Sequence, residues 1–384
     1  MKNKNESDGF ITMKQVNKGI KVRLYPNQCQ EEQFQSNFGA CRFVYNNILE
    51  RLNKLYQLYP KQYRLNIKLI NTFLNQLKQE FDWLCDIEST SLQQSSRDLL
   101  RSYLNFFKNP KTNFPKFHSK KHTRLSFRQT VTDNLVQGKY LNLRKYGLIR
   151  YRTSKEYVDL LNSDCIKINN VTVSCDNGVY YAVLSIIAPV EVWEHTGQVK
   201  GYDLNSNKNS FLVSNTGEKY SFDIDSENQR IKHLNKVLST KQEGSRGFKR
   251  IQQKLQRVYD KRTNKLNDFI QKLSTILVKE NDTIVIEDNW SSIKILIGGE
   301  QNMIFPLMRL KEMLDYKFDW YKSDCIGLVM VNPKWTSKMC HHCGSINSEL
   351  TCDVREWVCS VCGSILDRDI NASINILNRW DNGD

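Results

Sequence analysis

Two Cys-x-x-Cys pairs, Cys340–Cys343 and Cys359–Cys362, stand near the C-terminal end of this chain with fifteen residues between them. Each pair can present two sulfurs to one tetrahedral ion, and the spacing is that of four-thiolate zinc sites. Glycine follows the second cysteine of each pair, at Gly344 and Gly363, where backbone freedom lets amides turn toward the sulfurs. The segment is expected to fold as a zinc ribbon around one structural Zn²⁺. His341, His342 and Cys352 are spare ligand types nearby; we read the histidines as exposed loop residues and Cys352 as a packed thiol. A zinc ribbon alone braces a loop and is compatible with any function, so the chemistry must be sought elsewhere.

A chain of 384 residues has room for two or three domains, each with its own core. It contains no apolar run near the ~18–20 residues of a membrane span, so no membrane partner is expected. The opening "MKNKNESDGFITMK" lacks the apolar core of a secretory signal. A cytoplasmic setting is expected, and with it eleven cysteines that serve as ligands and buried thiols rather than disulfides. The net charge of +15, from 56 Lys and Arg against 41 Asp and Glu, marks a polyanionic partner, nucleic acid above all.

Along the chain, "GIKVRLYP" (Gly19 to Pro26) reads as a strand after a loose N-terminus. From Gln28 to about Phe107 the apolar spacing is helical, with Phe34, Phe38 and Cys41 at i, i+4, i+7 and Phe43, Asn47, Leu49 and Leu52 beyond. Two prolines then break the pattern in "KNPKTNFPKFHSKKHTRLSFRQT", where Lys116, Lys120, Lys121, Arg124 and Arg128 alternate with Phe114, Phe117 and Phe127. Bases to neutralise phosphate and aromatics to stack on bases are what nucleic-acid contact requires. Short β-patterned segments follow to Pro189, with an Asn177-Gly178 hairpin signal. Val199 to Asp223 is again hairpin-like. Glu227 to Glu280 reads as two long helices around "EGSRG", with Lys249 and Arg250 on a basic face. "DTIVIED" is a short buried strand, followed by a helix near Met303 to Tyr321 and the strand "CIGLVMV".

Three acids stand at the mouths of regular elements. Asp203 closes a strand, Glu287 ends another, and Asp369 opens a helix carrying Ile370, Ile374 and Leu377 on one side. Sheets of mixed α/β proteins gather functional groups at one end of their strands in this way. Taken singly each acid also reads as a cap or a surface charge, Asp369 as a helix cap above all. Three converging carboxylates would need compensating charge, which two Mg²⁺ ions roughly 3.5–4 Å apart could supply while serving phosphodiester hydrolysis.

The stretches "RLYPNQCQEEQF", "GACRFVYN", "FPKFHSKK", "SFR", "GYDLN", "IVIED", "NPKWTSKMCHHCG" and "CGSILDRDINASINIL" occur in order from about Gly19 to Leu377. In them the chain resembles the TnpB family, transposon-encoded RNA-guided nucleases related to type V CRISPR effectors. The resemblance implies a multidomain α+β chain: a flexible segment 1–18, a wedge strand 19–27, a helical recognition domain 28–110 inserted into a wedge β-barrel 111–195, and an RNase H-like RuvC domain 196–384 holding a zinc finger at 336–366. It implies Asp203, Glu287 and Asp369 as the catalytic Mg²⁺ ligands, with Mn²⁺ able to substitute. The second Asp of "DRD" is the ligand in the related motif, hence Asp369 over Asp367. Arg368 is expected near the scissile phosphate, with the knuckle as a flap guiding nucleic acid over the site. The implied partners are a guide RNA from the transposon end and target DNA, double- and single-stranded, with nucleoid association when DNA is bound.

The chain departs from the family pattern at Asn205 in place of Gly, at Asn289-Trp290 in place of Leu-Asn, and at "ACRF" in place of a two-cysteine variant. None removes a carboxylate. Two other readings use the same fold: a non-cleaving RNA-guided DNA-binding regulator, and a transposase or its accessory. Silent relatives lose an acid and this chain keeps all three. Transposases of RNase H type place Glu last, whereas here an Asp opens the final helix.

Overall fold

The computed structural model describes residues 12–59, 65–109, 111–131, 133–205, 208–288, 301–351 and 354–383, with backbone alone at 301–305. Residues 289–290 and Cys352, on which two of the readings above bear, lie outside the described residues. The chain divides into two compact units, Gln15–Pro189 and Val190–Asp384 with the start of the chain up to Lys14.

In the first unit strand β1 (Met13–Tyr25) begins well before Gly19, so the extended chain takes in part of the segment expected to be loose. Helix α1 (Gln28–Leu58) starts where Asn27 and Gln30 form a reciprocal capping box, at 2.9 and 3.0 Å. Its buried stripe runs through Phe34, Phe38 and Cys41 as the spacing predicts, then through Val44, Ile48 and Leu52, leaving Phe43 and Asn47 half-buried. Helices α2 (Ile67–Glu80) and α3 (Ser89–Lys108) follow. Then come β2 (Leu125–Thr130), β3 (Val136–Gln137), β4 (Tyr140–Leu143), β5 (Gly147–Arg152), a short α4 (Lys155–Leu161) that the β pattern had hidden, β6 (Lys167–Asp176) and β7 (Val179–Glu191). Among the described residues they make a seven-stranded sheet ordered β2-β6-β7-β1-β5-β4-β3. The β6–β7 hairpin turns on Asn177 and Gly178, with φ of 53° and 78°, the positive pair a type I′ turn demands. One apolar core joins α1–α3 to this sheet.

The second unit is built on β8 (Val199–Leu204), β9 (Leu212–Ser214), β10 (Lys219–Tyr220), β11 (Thr283–Glu287) and β12 (Gly327–Val331), in the order β10-β9-β8-β11-β12. The first three pair antiparallel, and β11 runs parallel to both β8 and β12. Helices α5 (Asp225–Ser239) and α6 (Arg246–Glu280) separate β10 from β11, with Ser245 of "EGSRG" capping α6. Helix α7 (Gln301–Tyr321) precedes β12, and α8 (Arg368–Asp381) follows the hairpin β13 (Glu356–Val358) and β14 (Ile365–Asp367).

Strand periodicity sorts the central sheet into two faces. Tyr202, Leu204, Ile284 and Ile286 pack with Leu273 and Leu277 of α6 and Leu310 and Leu314 of α7. The alternate residues, Gly201, Val285 and Val331, meet α8 through Ser373, Ile376 and Leu377. Asp203 and Glu287 belong to this second set. A β-carbon at Gly201 would lie 2.4 Å from the Ser373 carbonyl oxygen and 2.9 Å from Leu377 Cβ, so glycine alone admits helix α8 here.

Gly201→Ala is expected to destabilise the protein by about 1–3 kcal/mol, because the obstruction is backbone and cannot rotate away. Urea unfolding checks this; a change under about 0.5 kcal/mol, the scale of a neutral surface substitution, would contradict the packing.

Candidate active site

Asp203, Glu287 and Asp369 are buried, at 6%, 6% and 5% exposure. Tyr202 pairs with Ile286 on the parallel β8–β11 ladder, so the next residues, Asp203 and Glu287, sit side by side on neighbouring strands about 4.8 Å apart. Asp369 joins them from the first turn of α8, which the Gly201 contact holds against the same face. Burial first, then the charges of Glu287 and Asp369, push the Asp203 carboxyl well above its ordinary range. Asn205 and Arg368 act in the opposite sense. Asn205, the residue that departs from the family's glycine, donates its Nδ2 to Asp203 Oδ2 at 3.0 Å.

The two aspartates of "DRD" have different tasks. Asp367 caps α8, its Oδ1 accepting the amides of Asp369 at 2.9 Å and Ile370 at 3.1 Å. Its Oδ2 pairs with Lys219 at 2.7 Å. Burial opposes charge on Asp367, but Lys219 and the helix amides outweigh it and hold the carboxyl below the usual range. The cap role open to Asp369 in the sequence is therefore taken by Asp367. Asp369 instead faces Arg355, whose Nη1 lies 3.2 Å from Oδ1. Arg368 is half-buried and donates Nη1 to the Thr351 carbonyl at 3.2 Å.

Several residues that tie the site together escaped the sequence reading. Thr336 is buried and donates its hydroxyl to Glu287 Oε1. Asn375 donates to the carbonyls of Thr336 at 2.8 Å and Met339 at 2.6 Å, and Asn371 donates to Met339 O at 2.8 Å. Both asparagines are 1% exposed. Their signal was available: two amides at i, i+4 on the inward stripe of a helix must have buried partners.

The four cysteine sulfurs come together as the spacing predicts, all within 4.8 Å of one another. Cys340 and Cys362 are 3.7 Å apart and Cys343 and Cys359 3.6 Å, close to the ~3.8 Å edge of a tetrahedron with Zn–S near 2.3 Å. The two knuckles are built alike. Gly344 N donates to Cys340 O at 2.8 Å and Gly363 N to Cys359 O at 2.9 Å, each glycine at φ near +73°. The donor set fits a structural Zn²⁺. His342 is exposed as expected, but His341 is drawn in: its backbone N–H and Nδ1 both lie 3.0 Å from Asn371 Oδ1.

The basic candidates divide. Lys116, Lys120, Lys121, Lys249 and Arg250 are exposed. Arg128 is spent on an ion pair with Asp98, and Arg124 bonds Ser174 at 3.1 Å and Asp176 at 3.4 Å. The aromatic alternation also thins out, because Phe127 is core and Phe114 packs on Tyr103 and Phe106, while Phe117 is 57% exposed.

An α/β core with a buried carboxylate trio and a four-cysteine ribbon feeding its last helix defines the class to which the comparisons point. Residues 308–376 match the family described as "Cas12f1-like, TNB domain" and residues 172–288 the one described as "Probable transposase". Residues 13–61, β1 and α1 here, match a "Helix-turn-helix domain". A Streptomyces pristinaespiralis protein named "Putative RNA-guided DNA endonuclease" is 30% identical over 377 residues, covering 95% of this chain and 90% of its own. An Escherichia coli K12 protein with the same description is 28% identical, covering 93% and 91%. The solved structure of the mini-RNA-guided endonuclease CRISPR-Cas phi3 shares the fold at TM-score 0.52 and 10% identity, over 94% of this chain and 92% of that one. The chain belongs to the TnpB family.

Two outcomes follow from this geometry. The folded Asp203 pKa lies above the 3.8 of an ordinary aspartate, so the unfolded chain loses that proton first and stability falls as pH rises between the two values. With divalent cations chelated, Asp203→Asn should raise the melting temperature at pH 7, and the gain should shrink as pH is lowered toward 4; equal melting at pH 7 would contradict the burial. For the ribbon, the purified protein should carry about one Zn²⁺ per chain by elemental analysis. Cys340→Ser should lose the ion and melt earlier.

Proposed function

We propose that the protein is an RNA-guided DNA endonuclease, as its relatives are named, and that it depends on divalent metal, is encoded by a transposable element and cuts DNA beside a short flanking motif. The observation that carries this reading is the convergence of Asp203, Glu287 and Asp369 on one buried patch with their negative charge uncompensated enough to raise the Asp203 pKa. Three buried acids in a chain of net charge +15 are a poor device for folding and a good one for divalent cations. In this reading the five-stranded sheet is the RNase H-like core of a RuvC domain, and the seven-stranded sheet with α1–α3 is the wedge and its inserted recognition helices.

Asp203, Glu287 and Asp369 would hold two Mg²⁺ ions, which when bound lower the pKa of a water and stabilise the leaving 3′ oxygen of a phosphodiester. The chain's own residues prepare the site. Thr336 fixes the orientation of the Glu287 carboxylate, Asn205 that of Asp203, and the Asp367 cap with its Lys219 pair fixes the first turn that carries Asp369. Arg355 and Arg368 place positive charge beside the acids, where it would favour the scissile phosphate of a nucleic acid. Exposed Lys116, Lys120, Lys121, Lys249 and Arg250 supply the dispersed backbone contacts for guide RNA and target DNA.

Because binding rests on many bases and chemistry on one cluster, Asp203→Ala should bind guide RNA and target within about twofold of the unaltered protein and fail to cut. Cutting should need Mg²⁺ or Mn²⁺ and be poor in Ca²⁺, whose looser coordination misplaces the reacting groups. Asp367→Ala should keep the cation dependence and lose about 1 kcal/mol of stability with its cap. Cleavage by Asp203→Ala at the unaltered rate would refute the assignment. Target binding without cutting by the unaltered protein would instead favour the regulator.

A further inference from the structure

Trp335 has a backbone φ of +67°, a region that glycine adopts freely and bulky residues avoid. The turn around it is over-determined. Arg379 donates to the carbonyls of both Asn332 and Lys334. Thr336 donates to Pro333 O at 3.2 Å, and Asn375 holds Thr336 O. The Trp335 carbonyl itself accepts the amides of Lys338 at 2.9 Å and Met339 at 2.8 Å. All this fixes the backbone of a tryptophan that is 43% exposed, one residue from the threonine bonded to Glu287 and beside the exposed Lys334. The turn itself does not call for a tryptophan, since a glycine would fill it without strain and would expose no aromatic surface. Strain held in place by surrounding contacts marks positions kept for function.

We propose that Trp335 is a stacking platform for a nucleobase next to the scissile phosphate, a role that rests on the nuclease reading above. An indole face accepts any base, which suits an enzyme whose sequence choice is made by a guide, and Lys334 beside it would neutralise the adjoining phosphate. The strand stacked there would be held in register with Glu287 through the Trp335–Thr336 peptide.

The test uses the full chain with its guide RNA and a matched target duplex. Trp335→Gly should melt at or above the temperature of the unaltered protein, since the strain is relieved, yet cut roughly tenfold or more slowly, the scale of one lost base stack. Trp335→Phe should recover most of the rate. A single abasic nucleotide walked across the cleavage region should slow the unaltered protein at one position and fail to slow Trp335→Gly further there. Full-rate cutting by Trp335→Gly, or abasic effects that multiply with the substitution at every position, would overturn the stacking role and leave the nuclease reading intact. A lower melting temperature for Trp335→Gly would overturn it by assigning the indole to folding. Failure of the unaltered protein to cut would overturn both.

Discussion

Helix α8 lies so close to strand β8 that residue 201 has room for no side chain, and the position of the third carboxylate depends on that approach. Asp203 is two residues along the strand from the contact, and Asp369 is one turn back along the helix from Ser373. With a larger residue at 201 the helix would ride outward, and Asp369 would leave the patch that Asp203 and Glu287 define from the sheet. The same helix reaches the other way through Asn371 and Asn375 to the chain entering the first zinc knuckle. Close packing, the acid cluster and the ribbon thus share one rigid element, and a shift in any of them is felt by the other two.

The electrostatics of the patch run against stability. Desolvation and mutual repulsion both disfavour ionised Asp203, and its neighbours Asn205 and Arg368 only partly offset them. Proteins tolerate such arrangements where the charge is to be matched by something that binds. Glu227, in the same unit, is a buried acid whose charge is matched. It is 2% exposed and held near pKa 2 by Lys265 and Lys261, at 2.9 and 3.0 Å. The contrast between a buried acid that two lysines hold ionised and one whose burial and like-charged neighbours oppose ionisation separates structural carboxylates from the candidate site.

Much of this was legible in the sequence because it depends on local rules. The Cys-x-x-Cys spacing with its trailing glycines implied the knuckles, Asn177-Gly178 the hairpin, and the apolar periods the long helices and the buried strand ending at Glu287. The boundaries that slipped had physical causes: Met13 to Lys18 is polar but pairs as strand, and the short helix Lys155–Leu161 interrupts a β-rich stretch. What was illegible was partnership at long range. Nothing near Arg128 signals Asp98, and nothing near Thr336 signals Glu287, 49 residues earlier. Spacing alone could not divide labour between Asp367 and Asp369; the cap geometry does.

The central claim is that Asp203, Glu287 and Asp369 form one site for a pair of divalent cations. Electron paramagnetic resonance of the Asp203-intact protein with guide RNA, matched target DNA and added Mn²⁺ tests it by reading the metals themselves and not turnover. The account predicts a spin-coupled Mn²⁺ pair that disappears in Glu287→Gln while RNA and DNA remain bound. A spectrum of isolated ions only, unchanged by that substitution, would contradict it.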